Sequence, residues 1–180
     1  MGNKLKSDIS RVMKTLNIVL IALFLDCVGK VFPEVFYRIF AYPAAYLAAQ
    51  FFGVQPVFID RYEILIPLMH HPIHVIPACS AYGFFCLLTA LMLSYSWRAS
   101  GAWKVLWSAA VIPAAFLITI VLNAVRMVSA YQAHEIASIV FPKNFQAAVH
   151  QGIGISIFLT ALLGISFLLE RKCRHDRTGQ

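Results

Sequence analysis

The sequence predicts an all-α protein: a polytopic transmembrane helical bundle of about four to six membrane segments, with a short extracytoplasmic loop or hairpin before Cys79. Three observations carry this. Of the 180 residues, 60% are hydrophobic and only 13% are charged. The mean hydropathy is +0.73, well above that of a soluble globular domain. Finally, uncharged runs of about spanning length alternate with short polar ones along the chain. The length is that of one domain, so residues 1–180 read as a single integral membrane domain. Within it, 16–54 form amino-terminal membrane segments, 55–76 an extracytoplasmic loop and 77–169 the core spans.

The formal net charge is +7. Its basic residues cluster beside apolar runs, as Lys4, Lys6, Arg11 and Lys14 do before the first one, so they read as cytoplasmic flanks and not as a nucleic-acid surface. The cysteines, Cys27, Cys79, Cys86 and Cys173, show neither CxxC spacing nor the density of a disulfide scaffold. The first apolar run leads into Asp26-Cys27-Val28-Gly29-Lys30 and not into a small-residue cleavage site, so no cleaved signal peptide is expected.

In chain order, Met1–Thr15 is a basic lead expected on the cytoplasmic side. Leu16–Phe32 is apolar but carries Asp26 and Lys30 at a spacing that lets them pair on one helix face. Val35–Val54 is a second apolar stretch, broken by Pro43 and rich in interfacial aromatics. Between Gln55 and Ile76, Pro56, Pro67 and Pro72 argue against a helix, and Phe58–Pro67 sets charges among β-favouring residues, as a loop or short hairpin does. Pro77–Tyr95 then gives an uncharged span with Pro77 in its first turn. Trp97, Arg98, Trp103 and Lys104 mark an interfacial turn. Val105–Val125 is the next span, ending at Arg126, followed by a polar-spotted loop Met127–Ala148 and a last span Val149–Leu169. The tail after Glu170 is basic and reads cytoplasmic.

Parity places the candidate site. Counting back from a cytoplasmic tail, the last span starts outside near His150, the previous one ends outside near Arg126, and the one before begins outside near Cys79. All three residues then share the extracytoplasmic boundary. The front of the chain does not fit two full spans: one of the first two segments is interfacial or re-entrant, or the amino terminus lies outside against its charge.

The chemistry of the three residues is coherent. A thiol attacks as thiolate, which a helix amino terminus and a nearby cation favour. Arg126 stays cationic and suits a developing oxyanion. His150 at a helix start is kept neutral by the dipole and suits proton transfer. Together they describe acyl transfer through a thioester. Each also has a structural reading: a buried small thiol, a snorkelling arginine, a hydrogen-bonding histidine at the interface.

Ala78-Cys79-Ser80, preceded by Ile64-Leu65-Ile66-Pro67 and His74-Val75-Ile76, then Asn123-Ala124-Val125-Arg126, then His150 at the head of the last span, resembles the exosortase/archaeosortase family of membrane cysteine transpeptidases. The likeness is closest to the exosortase K type and covers about Ala41–Leu169. The resemblance implies Cys79 as nucleophile, Arg126 as thiolate or transition-state partner and His150 as the proton-transfer residue, with Ser80 and Asn123 in supporting or substrate-binding places. It implies a cysteine peptidase and transpeptidase of the cell inner membrane. Its partners would be membrane-tethered proteins with a carboxy-terminal sorting signal of the PEP-CTERM kind: a short motif, one transmembrane helix and a basic tail. No cofactor is implied. One departure is Ala81, where the family often has Gly.

Other chemistry is less favoured. His70, His71 and His74 crowd the loop before Cys79, but only Asp60 and Glu63 stand near them, so no metal is expected; alternation instead suggests a strand. His134-Glu135 lacks the second histidine of an HExxH site. The alternative outside catalysis is a membrane scaffold or transporter subunit in which Arg126 and His150 pair with a neighbouring protein or with lipid headgroups.

Overall fold

A computed structural model of the chain describes residues 2–96, 102–140 and 142–178; within these, the side chains of 2–12, 14–15, 78, 102–105, 137–140, 143–147, 150 and 172–178 lie outside the description. The chain is mostly helical, with helices α1 (Gly2–Val31), α2 (Pro33–Phe51), α3 (Tyr82–Ser96), α4 (Ala102–Val140) and α5 (Lys143–Thr178). Between α2 and α3 lie strands β1 (Val57–Phe58), β2 (Ile64–Ile66) and β3 (Ile73–Val75), then a 3-10 turn, Pro77–Cys79. The strands form one antiparallel sheet in the order β1-β2-β3. The region expected as a loop or hairpin is thus a hairpin with a third strand added. His74 faces outward between Ile73 and Val75, and Leu65 pairs across from it.

Among the described residues, two helices contain stretches long and apolar enough to cross a membrane, Leu106–Ile136 and Gln151–Arg171, and α3 is a shorter apolar helix. Hardly any of the α5 stretch is buried. Ile155, Leu159, Leu163 and Phe167 are all exposed on it, a surface that water would not tolerate and acyl chains would.

Three expected boundaries are corrected. The helix after Cys79 starts at Tyr82 and not at Pro77, because Ala81 adopts a left-handed backbone that ends the 3-10 turn. α4 continues to Val140, so most of the expected loop Met127–Ala148 is helical and Arg126 lies inside a helix, not at its end. Residues 127–140 contain neither Gly nor Pro, and the next proline, Pro142, is where the helical run is interrupted. α5 starts at Lys143, directly after that proline, which puts His150 two turns into its helix. Pro43 does not break α2. Of the turn expected at Trp97–Lys104, residues 97–101 lie outside the description.

Packing fixes the directions of the helices. Tyr82, the first residue of α3, lies against Leu25 and Gly29 near the end of α1, and the two helices pack extensively, so they run antiparallel. Phe40 meets Phe116, and Phe52 meets Tyr131, so α2 ascends alongside α4 in the same sense. The Ser96–Ser108 hydroxyl contact and the Asn123–Cys79 bond fix α3 and α4 as antiparallel. Helices α1 and α2 therefore advance in one direction, joined by a bend at Phe32–Pro33.

The core is a seam of small residues. Ala41, Ala44, Ala45, Ala48 and Ala49 are fully buried on one face of α2 and pack with Ile120, Ala124 and Met127 of α4 and with Ile64, Ile66 and Val75 of the sheet. Alanines at these i, i+3 and i, i+4 positions let two backbones approach closely. A second cluster, around Phe40, Phe84, Phe85 and Leu88, joins α2, α3 and α5.

Gly29 shows how tight the α1–α3 contact is. A Cβ there would stand 1.9 Å from Tyr82 Cε1. The ring cannot retreat freely, because Phe36, Phe40 and Phe85 surround it and its hydroxyl donates to the Leu25 carbonyl. Gly29→Ala should lower stability by about 1–3 kcal/mol through overpacking. A detergent-solubilised unfolding curve reads this; an unchanged midpoint would show that α1 is not held here.

Candidate functional site

Cys79 ends the 3-10 turn that delivers the sheet to α3. Pro77 supplies the turn's first residue without needing a donor, and the Cys79 N–H donates to the Ile76 carbonyl at 2.7 Å. Ser80 lies next, and its Oγ accepts from the Tyr82 N–H at 3.4 Å, so it serves the start of α3. The backbone enters that helix through Ala81 at φ 56°. The sequence-level departure at Ala81 thus falls on the described non-glycine residue whose backbone is left-handed, a conformation that costs an L-residue about 1–2 kcal/mol.

Two side chains from α4 converge on the Cys79 carbonyl. Asn123 Nδ2 donates to it at 2.7 Å and Arg126 Nη2 at 3.4 Å. Residues 123 and 126 are i, i+3 on α4 and share a face, which is how one helix sends both to one oxygen. Asn123 is fully buried, and its Oδ1 has no partner among the described residues. Arg126 Nε is also buried without a partner among them. A buried donor or acceptor left unpaired costs about 1–3 kcal/mol, so these two atoms are costly features of the fold.

The rest of the Arg126 side chain is seated by α5. A Cβ at Gly154 would lie 3.1 Å from Arg126 Cδ, so the glycine makes room for the arginine stem. The guanidinium carbon lies 5.7 Å from the Phe158 ring centroid, within cation–π range, and Phe158 in turn stacks on Phe84 at 4.5 Å. His150, Gly154 and Phe158 are spaced by four residues and fall on one stripe of α5. The backbone therefore puts His150 one turn from Gly154 on the stripe that holds Arg126. The His150 side chain lies outside the described residues.

The sheet is fastened from the other side. Tyr37 of α2, almost wholly buried, donates its hydroxyl to the Val75 carbonyl at 2.7 Å, four residues before Cys79. Sequence reasoning named Cys79, Arg126, His150, Ser80 and Asn123; the structure brings Asn123 and Arg126 onto the Cys79 carbonyl and sets Ser80 next in the chain at the start of α3, while the His150 side chain lies outside the description. Sequence reasoning missed Tyr37, Gly154 and Phe158. The spacing of Gly154 and Phe158 from His150 was a usable signal; Tyr37 carries none, since its role depends on a strand placed 38 residues away.

The histidines of the loop do not assemble. His74 Nδ1 pairs with Glu63 Oε1, while His71 stacks edge-on against His134 of α4 at 5.7 Å. Among the described residues no group of three His, Cys, Asp or Glu is placed to hold a metal ion. Cys27 is exposed on α1 and Cys86 is buried in α3; the Cys173 side chain lies outside the description.

No protein family, no curated protein and no solved structure matches the chain. The site is therefore read from its own geometry.

Ala81 offers a direct check of that geometry. Glycine removes the left-handed penalty and returns part of it as lost unfolded-state restriction, so Ala81→Gly should raise stability by about 0.5–1 kcal/mol. Denaturant unfolding of the purified protein measures it, and a lowered midpoint would contradict the backbone assignment.

Proposed function

We propose that the protein is an exosortase-like membrane cysteine peptidase and transpeptidase, with Cys79 as nucleophile, Arg126 as its cationic partner and His150 as the proton-transfer residue. The observation that carries this reading is the convergence of Asn123 and Arg126 on the backbone of Cys79, with the Arg126 Nε–H still unpartnered among the described residues. A purely structural arginine at an apolar helix would spend its donors or reach for the interface. Here the guanidinium is held on the backbone of the residue whose thiol is half-exposed.

The chemistry follows from the roles. The Cys79 thiolate adds to the carbonyl carbon of a substrate peptide bond, and the carbonyl oxygen takes the negative charge of the tetrahedral adduct. Arg126 balances that charge with its guanidinium. His150 takes the Cys79 thiol proton and gives it to the leaving amine as the C–N bond breaks, and a thioester remains on Cys79. An acceptor amine or water, losing its proton to the same histidine, then attacks the thioester and frees the thiol.

Membrane confinement suits such a site. In this reading, α1 with α2, then α3, α4 and α5 make the crossings of an inner-membrane bundle, and the sheet and the Cys79 turn lie at its extracytoplasmic face. The substrate is a protein tethered by a carboxy-terminal helix with a basic tail, whose juxtamembrane peptide meets the thiol. Sharing one bilayer raises the effective concentration of peptide at the site. The exposed apolar surface of α5 is a face along which such a helix can lie.

The test is to express the protein beside a membrane protein that has a carboxy-terminal helix and basic tail, and to read that protein's size on a gel. Cys79→Ala should abolish the shortened form while both proteins stay in the membrane. Arg126→Gln should slow shortening by about 10²–10³-fold, the usual effect of losing one oxyanion donor. Persistence of the shortened form in Cys79→Ala would leave the scaffold reading in its place.

A further inference from the structure

A cleft of about 510 Å³ lies between α2 and the β1–β2 hairpin, lined by Tyr37, Arg38, Tyr42, Phe58, Asp60 and Arg61. We propose that it binds the phosphate headgroup of a membrane glycerophospholipid, held between Arg38 and Arg61.

The surroundings of the cleft are apolar. Val35, Ile39 and Tyr46 are exposed along the outer side of α2, and Tyr42 on that side stacks on Phe58 at 4.9 Å. On the hairpin, Val57, Ile59 and Tyr62 are exposed as well. The two elements therefore present one continuous apolar and aromatic surface, the composition of a membrane–water boundary. Acyl chains can cover it, but they cannot satisfy the two guanidiniums set within it.

Each arginine has donors to give. Arg38 touches Glu34 at 3.2 Å, one turn back on α2, but the two side chains are 59% and 37% exposed, so this contact is weak and one-sided. Arg61, at the hairpin tip, makes no ion pair among the described residues. Asp60 also lines the cleft; its Oδ1 accepts from the Tyr62 N–H at 2.6 Å, so this oxygen is engaged in shaping the tip that presents Arg61. The lining itself carries two guanidiniums and one turn-bound carboxylate, with Glu34 touching Arg38 from beyond it. The anion at that depth, beside an apolar surface, is a lipid phosphate, which a guanidinium fork matches in shape and charge. The aromatic walls of Tyr42 and Phe58 suit the glycerol and first methylenes below it.

This site does not depend on Cys79 chemistry. Tyr37 joins the two regions, since its ring lines the cleft and its hydroxyl holds β3 before Cys79.

The full chain, purified in mild detergent, is titrated with dioleoylphosphatidylglycerol, and bound lipid is counted by native mass spectrometry. Dioleoylglycerol serves as the phosphate-free control. The wild type should retain phosphatidylglycerol and not dioleoylglycerol. Affinity should fall about fivefold in Arg61→Gln and roughly 25-fold in Arg38→Gln with Arg61→Gln, the effect of two headgroup-level cations. Arg61→Gln alone touches an exposed tip, so it reads the site even where the double variant folds poorly. Equal retention by wild type and Arg61→Gln would overturn the proposal. So would displacement of the lipid by millimolar inorganic phosphate, or a short acidic peptide whose binding needs Arg61 while lipid retention does not.

Discussion

The hydrogen bond from Asn123 to the Cys79 carbonyl is the constraint on which the rest of the site depends. It is partly buried and joins residues 44 apart, tying a turn that belongs to the sheet to a helix that belongs to the bundle. A neutral hydrogen bond of this kind is worth about 1 kcal/mol net, yet breaking it strands the buried Asn123 amide at about 1–3 kcal/mol. The asymmetry makes it a positional lock more than a source of stability. With the Cys79 backbone fixed from α4, and Val75 fixed from α2 by Tyr37, the turn between them has little freedom left.

The small-residue seam makes this lock possible. Alanines on α2 bring its axis near enough to α4 for Tyr37 to reach the sheet edge and for the sheet to sit over Ile120, Ala124 and Met127. Larger side chains would hold the helices apart and leave both hydrogen bonds too long. The same logic applies on the other side of the site, where Gly154 lets α5 close on the Arg126 stem and Phe158 covers the guanidinium. The fold thus gives up side-chain volume at chosen points to bring polar groups together inside an apolar bundle. Unsatisfied atoms at Asn123 Oδ1 and Arg126 Nε are where that closeness is not fully repaid by partners.

Much of this was legible in the sequence because hydropathy and charge are local signals. The uncharged runs located α3, α4 and α5, and the prolines of 55–76 marked off the non-helical part. What was not legible depended on contacts between distant segments. The run after Arg126 carries enough polar residues to look like a loop, yet without Gly or Pro it continues as helix, since polarity alone does not end one. The spacing of Cys79 from Pro77 suggested a single helix start, but the left-handed residue at Ala81 splits it into a 3-10 turn and a separate helix, and no local rule predicts that conformation at an alanine. That α1 and α2 advance in the same sense was not legible either, because it rests on the contacts of Tyr82 and Phe40. Cys79, Asn123 and Arg126 were found from their motifs, and the shared carbonyl explains why they belong together.

A peptidase that works through Cys79 carries the acyl group of the cleaved peptide on that thiol. Peptide mass spectrometry of the protein, rapidly denatured in acid during turnover of a membrane-tethered substrate, reads it. The expected result is a mass increase on the peptide containing Cys79, equal to the amino-terminal fragment's tail, that disappears with neutral hydroxylamine as a thioester does. A shortened substrate with no adduct on Cys79, or an adduct on another residue, would contradict it.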